Sequence, residues 1–349
     1  MTKFDEAKLN EFVGRVLNDL GGAVSVPLVQ IGDALGLYGA LRDRGPVTAE
    51  DLAAATGCAA RYVREWLSAQ AASGYVTVDA GRFSLSPEQA MVFATLDSPV
   101  NLIGAFDTAA AMVENQPKVR AAFKTGRGVA WGDQAGCLFC AVARLFRPGY
   151  VNALVQDWLP ALDGVVDKLE AGAKVADVGC GHGLSTIVMA QAFPSSEFIG
   201  YDFHMGSVAA AAAHAKAHSV HNVRFEVARA QDFPGKDYDL VTCFDCLHDM
   251  GDPAAAAAHI RKAIKPGGKW MVVEPAAGDS LDENLNPIGR IYYSASTMIC
   301  VPTSLAQDTG LALGAQAGEK QLAEVIRSGG FERVQRVAST PLNMVLEAA

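Results

Sequence analysis

The stretch Lys174-Val175-Ala176-Asp177-Val178-Gly179-Cys180-Gly181-His182-Gly183-Leu184, with the apolar helical run to Phe193 behind it, decides the fold. A short β-type segment carries an acid near its end, three alternate glycines follow, and a helix begins at once. That is a strand–turn–helix, the opening of a doubly wound α/β domain. The glycines supply positive φ and let the backbone approach a ligand closely. A dinucleotide fingerprint would want glycine at 184, where Leu184 stands, so the spacing argues against a nicotinamide site. A second strand, Ser195 to Tyr201, closes on another acid, Asp202.

Downstream the pattern continues as β and α in alternation. An Ala-rich helix covers about 206–218 and a third strand runs from Val223 to Val227. The loop Ala230-Gln231-Asp232-Phe233-Pro234 follows. Asp237 to Phe244 reads as a fourth strand, continued by Asp245-Cys246-Leu247-His248-Asp249-Met250. Asp252-Pro253 starts a helix expected to reach Lys265, with Pro at its first position. Pro266-Gly267-Gly268 stops it before a fifth strand, Lys269 to Val273, which ends in Glu274-Pro275. Phe331–Val337 and Asn343–Glu347 read as a closing β-hairpin. Between Ala276 and Gly318 no strand pattern appears, and a segment of that length is expected to be a lid or binding insertion.

Upstream, residues 1–40 read as helices with a break at Gly21-Gly22. Thr48 caps a helix that runs to Ala55 and is closed by Gly57; a second helix covers Arg61 to Ser73. Tyr75–Val78 and Arg82–Leu85 flank a turn as a β-hairpin. Helix, helix, hairpin resembles a winged helix. Residues 1–90 hold 8 Lys/Arg against 11 Asp/Glu, a net of −3, which disfavours a DNA-reading role. Residues 91–165 read as a helical connector rich in aromatics, with Trp131 and Tyr150 as candidate pocket residues. The expected organisation is therefore 1–90, 91–165 and 166–349, with the insertion at 276–318.

The chain has 349 residues, half of them apolar, and a formal charge of −9, which argues against general nucleic-acid or anionic-membrane binding. The N-terminus lacks a signal-type apolar core and no 18-residue apolar run is evident, so a cytoplasmic protein is expected. Seven thinly spread cysteines fit a reducing compartment. Cys137-x-x-Cys140 and Cys243-x-x-Cys246 lie far apart in sequence, and Asp245, Asp249 and Asp252 have no companion carboxamide after the fifth strand. No metal is expected. His214, His218 and His221 are expected on a solvated helix face.

The acid-x-G-x-G-x-G turn with Asp202, the Tyr-Asp-Leu-Val strand and the Lys-Pro-Gly-Gly stop together resemble class I S-adenosylmethionine-dependent methyltransferases over about residues 170–275. The resemblance implies an α/β, doubly wound Rossmann-like sheet of seven strands with an antiparallel last strand, preceded by a winged-helix domain that dimerises. It implies S-adenosyl-L-methionine as cofactor. Asp177, Gly179, Cys180, Gly181 and Gly183 would lie along its amino-acid part, Asp202 would hold the ribose, and Asp232 the adenine amino group. Phe203, Gln231, Phe233 and Phe244 would complete the cofactor site. Leu247-His248-Asp249 is similar to the segment that carries the base of winged-helix O-methyltransferases, with Glu274 orienting the imidazole. Such enzymes have a further acid upstream of the last helix; here Gln316 aligns with it and Glu319 lies off register. The implied acceptor is a small aromatic or apolar molecule, methylated on oxygen, with nitrogen or carbon as alternatives. Two rivals stay open: a winged-helix regulator with a cofactor-sensing domain, and a cofactor-binding fold without turnover.

Overall fold

The computed structural model describes residues 4–349, which fall into two compact units dividing between Ala110 and Ala111. In the N-terminal unit, helices Glu6–Ala34, Leu37–Arg44, Ala49–Thr56 and Ala60–Ala72 precede a hairpin of β1 (Thr77–Asp79) and β2 (Arg82–Ser84), then helix Pro87–Phe93. Thr48 and Asp51 form a capping box at the start of Ala49–Thr56, and Gly57, at φ 68°, ends it. Ala60–Ala72 turns Val63, Trp66 and Leu67 into the core. There Tyr38 stacks on Phe93 and donates to Gln70 Oε1 at 2.7 Å.

The first helix does not break at Gly21-Gly22. Two glycines cost roughly 1 kcal/mol each against alanine, and the anchored C-terminal part carries the helix through them. Val29 is fully buried, and Trp66 Nε1 donates to Leu28 O at 2.8 Å. Gly32 is required on this face, because a Cβ there would lie 2.8 Å from Tyr38 Cε2 and closer still to the Trp66 ring. Gly32→Ala is expected to destabilise the N-terminal unit by about 1–3 kcal/mol through overpacking, read as a lower urea midpoint at unchanged slope. A Gly21→Ala change, which meets nothing within 4 Å, should not destabilise.

Contrary to the sequence expectation, two helical stretches are long and apolar enough to cross a membrane by length and composition, Glu6–Ala34 and Gly136–Trp158. The second turns Leu138, Leu154 and Trp158 inward. The first leaves Phe12, Leu17, Leu20 and Val24 exposed.

The C-terminal unit is built on β3 (Lys174–Val178), β4 (Glu197–Asp202), β5 (Val223–Val227), β6 (Tyr238–Phe244), β7 (Ile264–Pro275), β8 (Val334–Ser339) and β9 (Asn343–Ala348). The sheet order is β5-β4-β3-β6-β7-β9-β8. The first five strands in that order pair parallel, while β9 pairs antiparallel with both β7 and β8. Every residue of β6 is buried, as expected of a strand covered on both faces. Apolar clusters around Trp270, Ile260 and Tyr238 on one side, and Phe198, Leu154 and Met271 on the other, sandwich the sheet. Helix Pro253–Ala263 ends two residues before the expected Lys265. Pro266 cannot continue a helix, and Ile264 is instead drawn into β7 opposite Tyr238. The 276–318 segment has no strand; it holds helix Leu281–Asn284 and a helical run from Pro287 to Leu305. Strand order reverses between β3 and β6, so the crevice beyond their carboxyl ends is where a ligand belongs in such a sheet.

Candidate active site

The glycine turn leaves β3 with Gly179, Gly181 and Gly183 at φ 77°, 52° and 74°. Gly179 N and Cys180 N donate to Tyr201 O at 2.8 and 3.0 Å, which fixes the turn to the end of β4. A Cβ at Gly183 would strike Phe225 and Ala211, whereas one at Gly181 would meet nothing within 4 Å. Two glycines are thus used for packing and the middle one faces open space. Asp202, at the end of β4, accepts from Gly181 N at 2.9 Å and from His204 N at 2.8 Å, one per oxygen. Each oxygen keeps acceptor capacity for a further donor. Burial raises the Asp202 carboxyl, and the two backbone donors pull it back.

Asp177 serves the turn from inside. Ser185 and Thr186, in the first turn of helix Leu184–Ala192, donate to its Oδ2 at 2.8 and 2.6 Å. Thr242 of β6 donates to Oδ1 at 2.9 Å. The acid is 1% exposed, and burial pushes its carboxyl up while these three hydroxyls pull it down.

On the other side of the crevice, β6 runs into a short 3-10 turn, Leu247–Asp249, and β7 ends at Glu274. Glu274 Oε1 accepts from Leu247 N at 2.9 Å, and its Oε2 is hydrogen-bonded to His248 Nδ1. Both side chains are buried, at 3% and 1%. An ionised carboxylate only accepts, so Nδ1 carries the proton and Nε2 is the nitrogen that can exchange one. Nε2 lies 3.2 Å from Asp249 Oδ1, an oxygen with no other partner. Burial would push the imidazole down, but Glu274, then Asp249, override it and hold it well above its ordinary value. Cys300 completes a cluster in which its Sγ, an Nε2- or Nδ1-type nitrogen of His248 and an Asp249 oxygen lie within 4.8 Å of one another. Burial pushes the Cys300 thiol up to about 12.

The other expected residues fall variously. Phe244 is buried beside Tyr150 (ring centroids 5.3 Å apart) and Trp158, and Phe233 packs in the core against Tyr201 and Tyr238. Cys180 is buried, Gln231 half-buried and Phe203 47% exposed. Asp232 is exposed and paired with Arg229, which holds its carboxyl below the usual range. His214 is not on a solvated face. Its Nδ1 meets the carbonyl of His182 in the glycine turn at 3.1 Å, while His218 and His221 are exposed. Of the three acids grouped in sequence after β6, Asp252 caps the next helix, Asp245 accepts from Asn343 Nδ2, and only Asp249 faces His248.

Several residues at the site carried no sequence signal of their own. Gln307 spans the histidine loop, donating to Asp249 O at 2.8 Å and accepting from Gly251 N at 3.1 Å; Ser304 donates to Met250 O at 2.8 Å. Tyr292 donates to Leu342 O at 2.6 Å. All three come from the 276–318 insertion, more than forty residues further along the chain than the loop around His248. Gln316 donates to Ala315 O at 3.0 Å, and its buried Oε1 has no partner.

Comparison with known proteins agrees with this architecture. A methyltransferase domain family matches residues 169–329, and an Rv2258c-like winged HTH domain family matches residues 22–95. A ubiquinone biosynthesis O-methyltransferase of Acinetobacter baumannii is 30% identical over 127 residues, 35% of this chain and 51% of that protein. The chain thus spans about half the length of the curated relatives it matches. Over whole chains, a putative O-methyltransferase of Nostoc punctiforme superposes with a TM-score of 0.71 at 19% identity, covering 99% of each. Human N-acetylserotonin methyltransferase, solved in complex with S-adenosylmethionine, does so with a TM-score of 0.69 at 18% identity, covering 100% of this chain and 99% of that one. Those two likenesses concern the fold. With the glycine turn, the paired strand-end acids and the sheet order, the two domain matches give the chain a methyltransferase domain preceded by an N-terminal winged HTH domain, an architecture consistent with a class I S-adenosylmethionine-dependent methyltransferase.

Proposed function

We propose that this protein methylates a hydroxyl oxygen on a small aromatic or apolar molecule, with S-adenosylmethionine as donor. The observation that carries this reading is the buried His248–Glu274 pair at the ends of β6 and β7, facing the crevice that begins at the glycine turn. The cofactor supplies a methyl group on a sulfonium, which departs by in-line displacement. The protein's work is to hold both partners, keep water out and take one proton. The open space at Gly181 and the spare lone pairs of Asp202 suit an amino-acid tail and a ribose diol. Glu274 keeps the proton on Nδ1, so neutral Nε2 receives the acceptor proton. Asp249 and Glu274 then stabilise the imidazolium that results, one at each nitrogen. Incubation with methyl-labelled cofactor and a panel of phenols, alcohols and amines tests the assignment. Transfer to amines alone would replace it with N-methylation.

The donor site makes its own prediction. Cofactor or its demethylated product at 100 times Kd should stabilise the protein by about 2.7 kcal/mol, seen as a rise in melting temperature. Asp202→Ala removes a charged acceptor and should weaken both ligands by about 10–100-fold in calorimetry. No thermal shift with either ligand on the unaltered protein would refute the assignment.

The same reading includes a cytoplasmic homodimer that does not read DNA. The seven cysteines, none of them in a disulfide among the described residues, support a reducing compartment. The exposed apolar residues of helix Glu6–Ala34 support self-association through the N-terminal unit. On the helix a winged fold would present to DNA, Arg61 is paired with Glu65 and Arg64 with Glu50, which neutralises its basic groups. Light scattering at micromolar concentration should give twice the chain mass. Sequence-specific DNA retention above 150 mM salt would overturn the second half.

A further inference from the structure

Asp245 stands one residue beyond β6, and the proton transfer has no use for it. Its backbone enters the left-handed region at φ 49°, where Asp and Asn are tolerated better than most residues. Its own N–H still donates to Val273 O at 2.7 Å, so pairing with β7 continues across the kink. Asn343, buried at the head of β9, donates Nδ2 to Asp245 Oδ1 at 2.8 Å and reaches Glu274 O at 3.5 Å. The second carboxylate oxygen receives no donor among the described residues. The carboxyl is pushed well above its ordinary value, first by burial and then by Glu274, with His248 and Asn343 pulling it down and Asp249 adding to the rise. Asp245 is thus an acid in a left-handed backbone, oriented by Asn343, with one oxygen open to a further donor.

Its position says which cation. A Cβ on Gly179 would lie 2.6 Å from Cys246 Sγ, so the segment that carries Asp245 packs directly on the glycine turn. β6 pairs in parallel with β3, Thr242 opposite Asp177, so the backbone of Asp245, three residues on, emerges beside the end of β3 where the glycine turn begins. We propose that Asp245 is a cofactor-binding residue that receives the α-ammonium of the methionyl part, with Asn343 fixing the carboxylate for it. This rests on the methyltransferase reading above. An ammonium brings three donors and a full charge to an acceptor that has only one donor of its own.

The test is calorimetric binding of three ligands to Asp245→Asn: S-adenosylmethionine, S-adenosylhomocysteine and 5′-methylthioadenosine. The first two carry the ammonium and the third does not. Asparagine tolerates the same backbone, and Asp245→Gly, free of strain at positive φ, gives a second variant should the first fold poorly. Asp245→Asn should weaken the first two ligands alike, by about 10–100-fold, and leave 5′-methylthioadenosine within twofold. Unchanged affinity for the first two overturns the proposal. So does a loss confined to S-adenosylmethionine, which would mean that the acid reads the sulfonium. An equal loss for all three would mean that the cradle itself had collapsed, and also overturns it. Unaltered protein that binds none of the three overturns the donor-site reading, and this assignment with it.

Discussion

His248→Ala should lower kcat by roughly 10²–10⁴-fold and leave cofactor affinity nearly unchanged. On the proposed mechanism the imidazole acts on the acceptor alone, and its contacts run to Glu274 and Asp249 rather than to the glycine turn. Steady-state kinetics beside calorimetry separates the two effects. Equal loss of cofactor binding would make His248 structural, and unchanged turnover would leave positioning alone as the mechanism. The pH profile tests the pair more sharply. Reaction needs neutral His248, whose pKa is held well above its ordinary 6.5. Activity should therefore fall as pH drops through that raised value. Glu274→Gln removes the stronger of the two raising charges and should move the acid limb to lower pH, with a weaker base at its plateau. Stability carries the opposite signature. The raised value belongs to the folded state, so protonated His248 stabilises the fold below about pH 6.5. That contribution is lost as pH rises through the folded value. Urea midpoints measured across the range should decline there in the unaltered protein, and decline less in Glu274→Gln.

The second large effect is expected at Asp177. Asp177→Ala leaves Ser185, Thr186 and Thr242 without their acceptor, and all three are buried. A buried hydroxyl that loses its partner costs about 1–3 kcal/mol. Relief of the acid's own desolvation offsets part of the sum, so a net loss of about 3–5 kcal/mol is expected. For a unit of this size that is a fall in melting temperature of about 6–20 °C. Asp177→Asn keeps one acceptor oxygen, and the rotating hydroxyls can accept from its amide, so its loss should be roughly half as large. An Asp177→Ala protein that melts with the unaltered one would show that this triad of hydroxyls does not hold β3, β6 and helix Leu184–Ala192 together.

Much of this was legible in the linear chain because the physics involved is local. Turn glycines at fixed spacing demand positive φ, and all three have it. The alternation of strand and helix, and the stop at Pro266, follow from residues within a few positions of one another. Even the meeting of His248 and Glu274 was inferable, since residues that end adjacent parallel strands must emerge side by side. The helix through Gly21-Gly22 was not, because local propensity argued for a break and burial of Val29 and Gly32 against Trp66 and Tyr38 overrode it. Tertiary pairing likewise drew Ile264 out of a helix that its own neighbourhood would have continued.

The sequence alone therefore determined the class of sheet, the glycine turn, the strand-end acids and the meeting of His248 with Glu274, since each depends on backbone geometry that recurs with residue type. Tertiary structure alone decided what those groups feel. It set Asp249 against Nε2, brought Cys300 and Gln307 from the insertion to the histidine loop, and placed Asn343 on Asp245. Distance, burial and charge set a carboxyl or imidazole pKa, and none of them is a function of nearness along the chain.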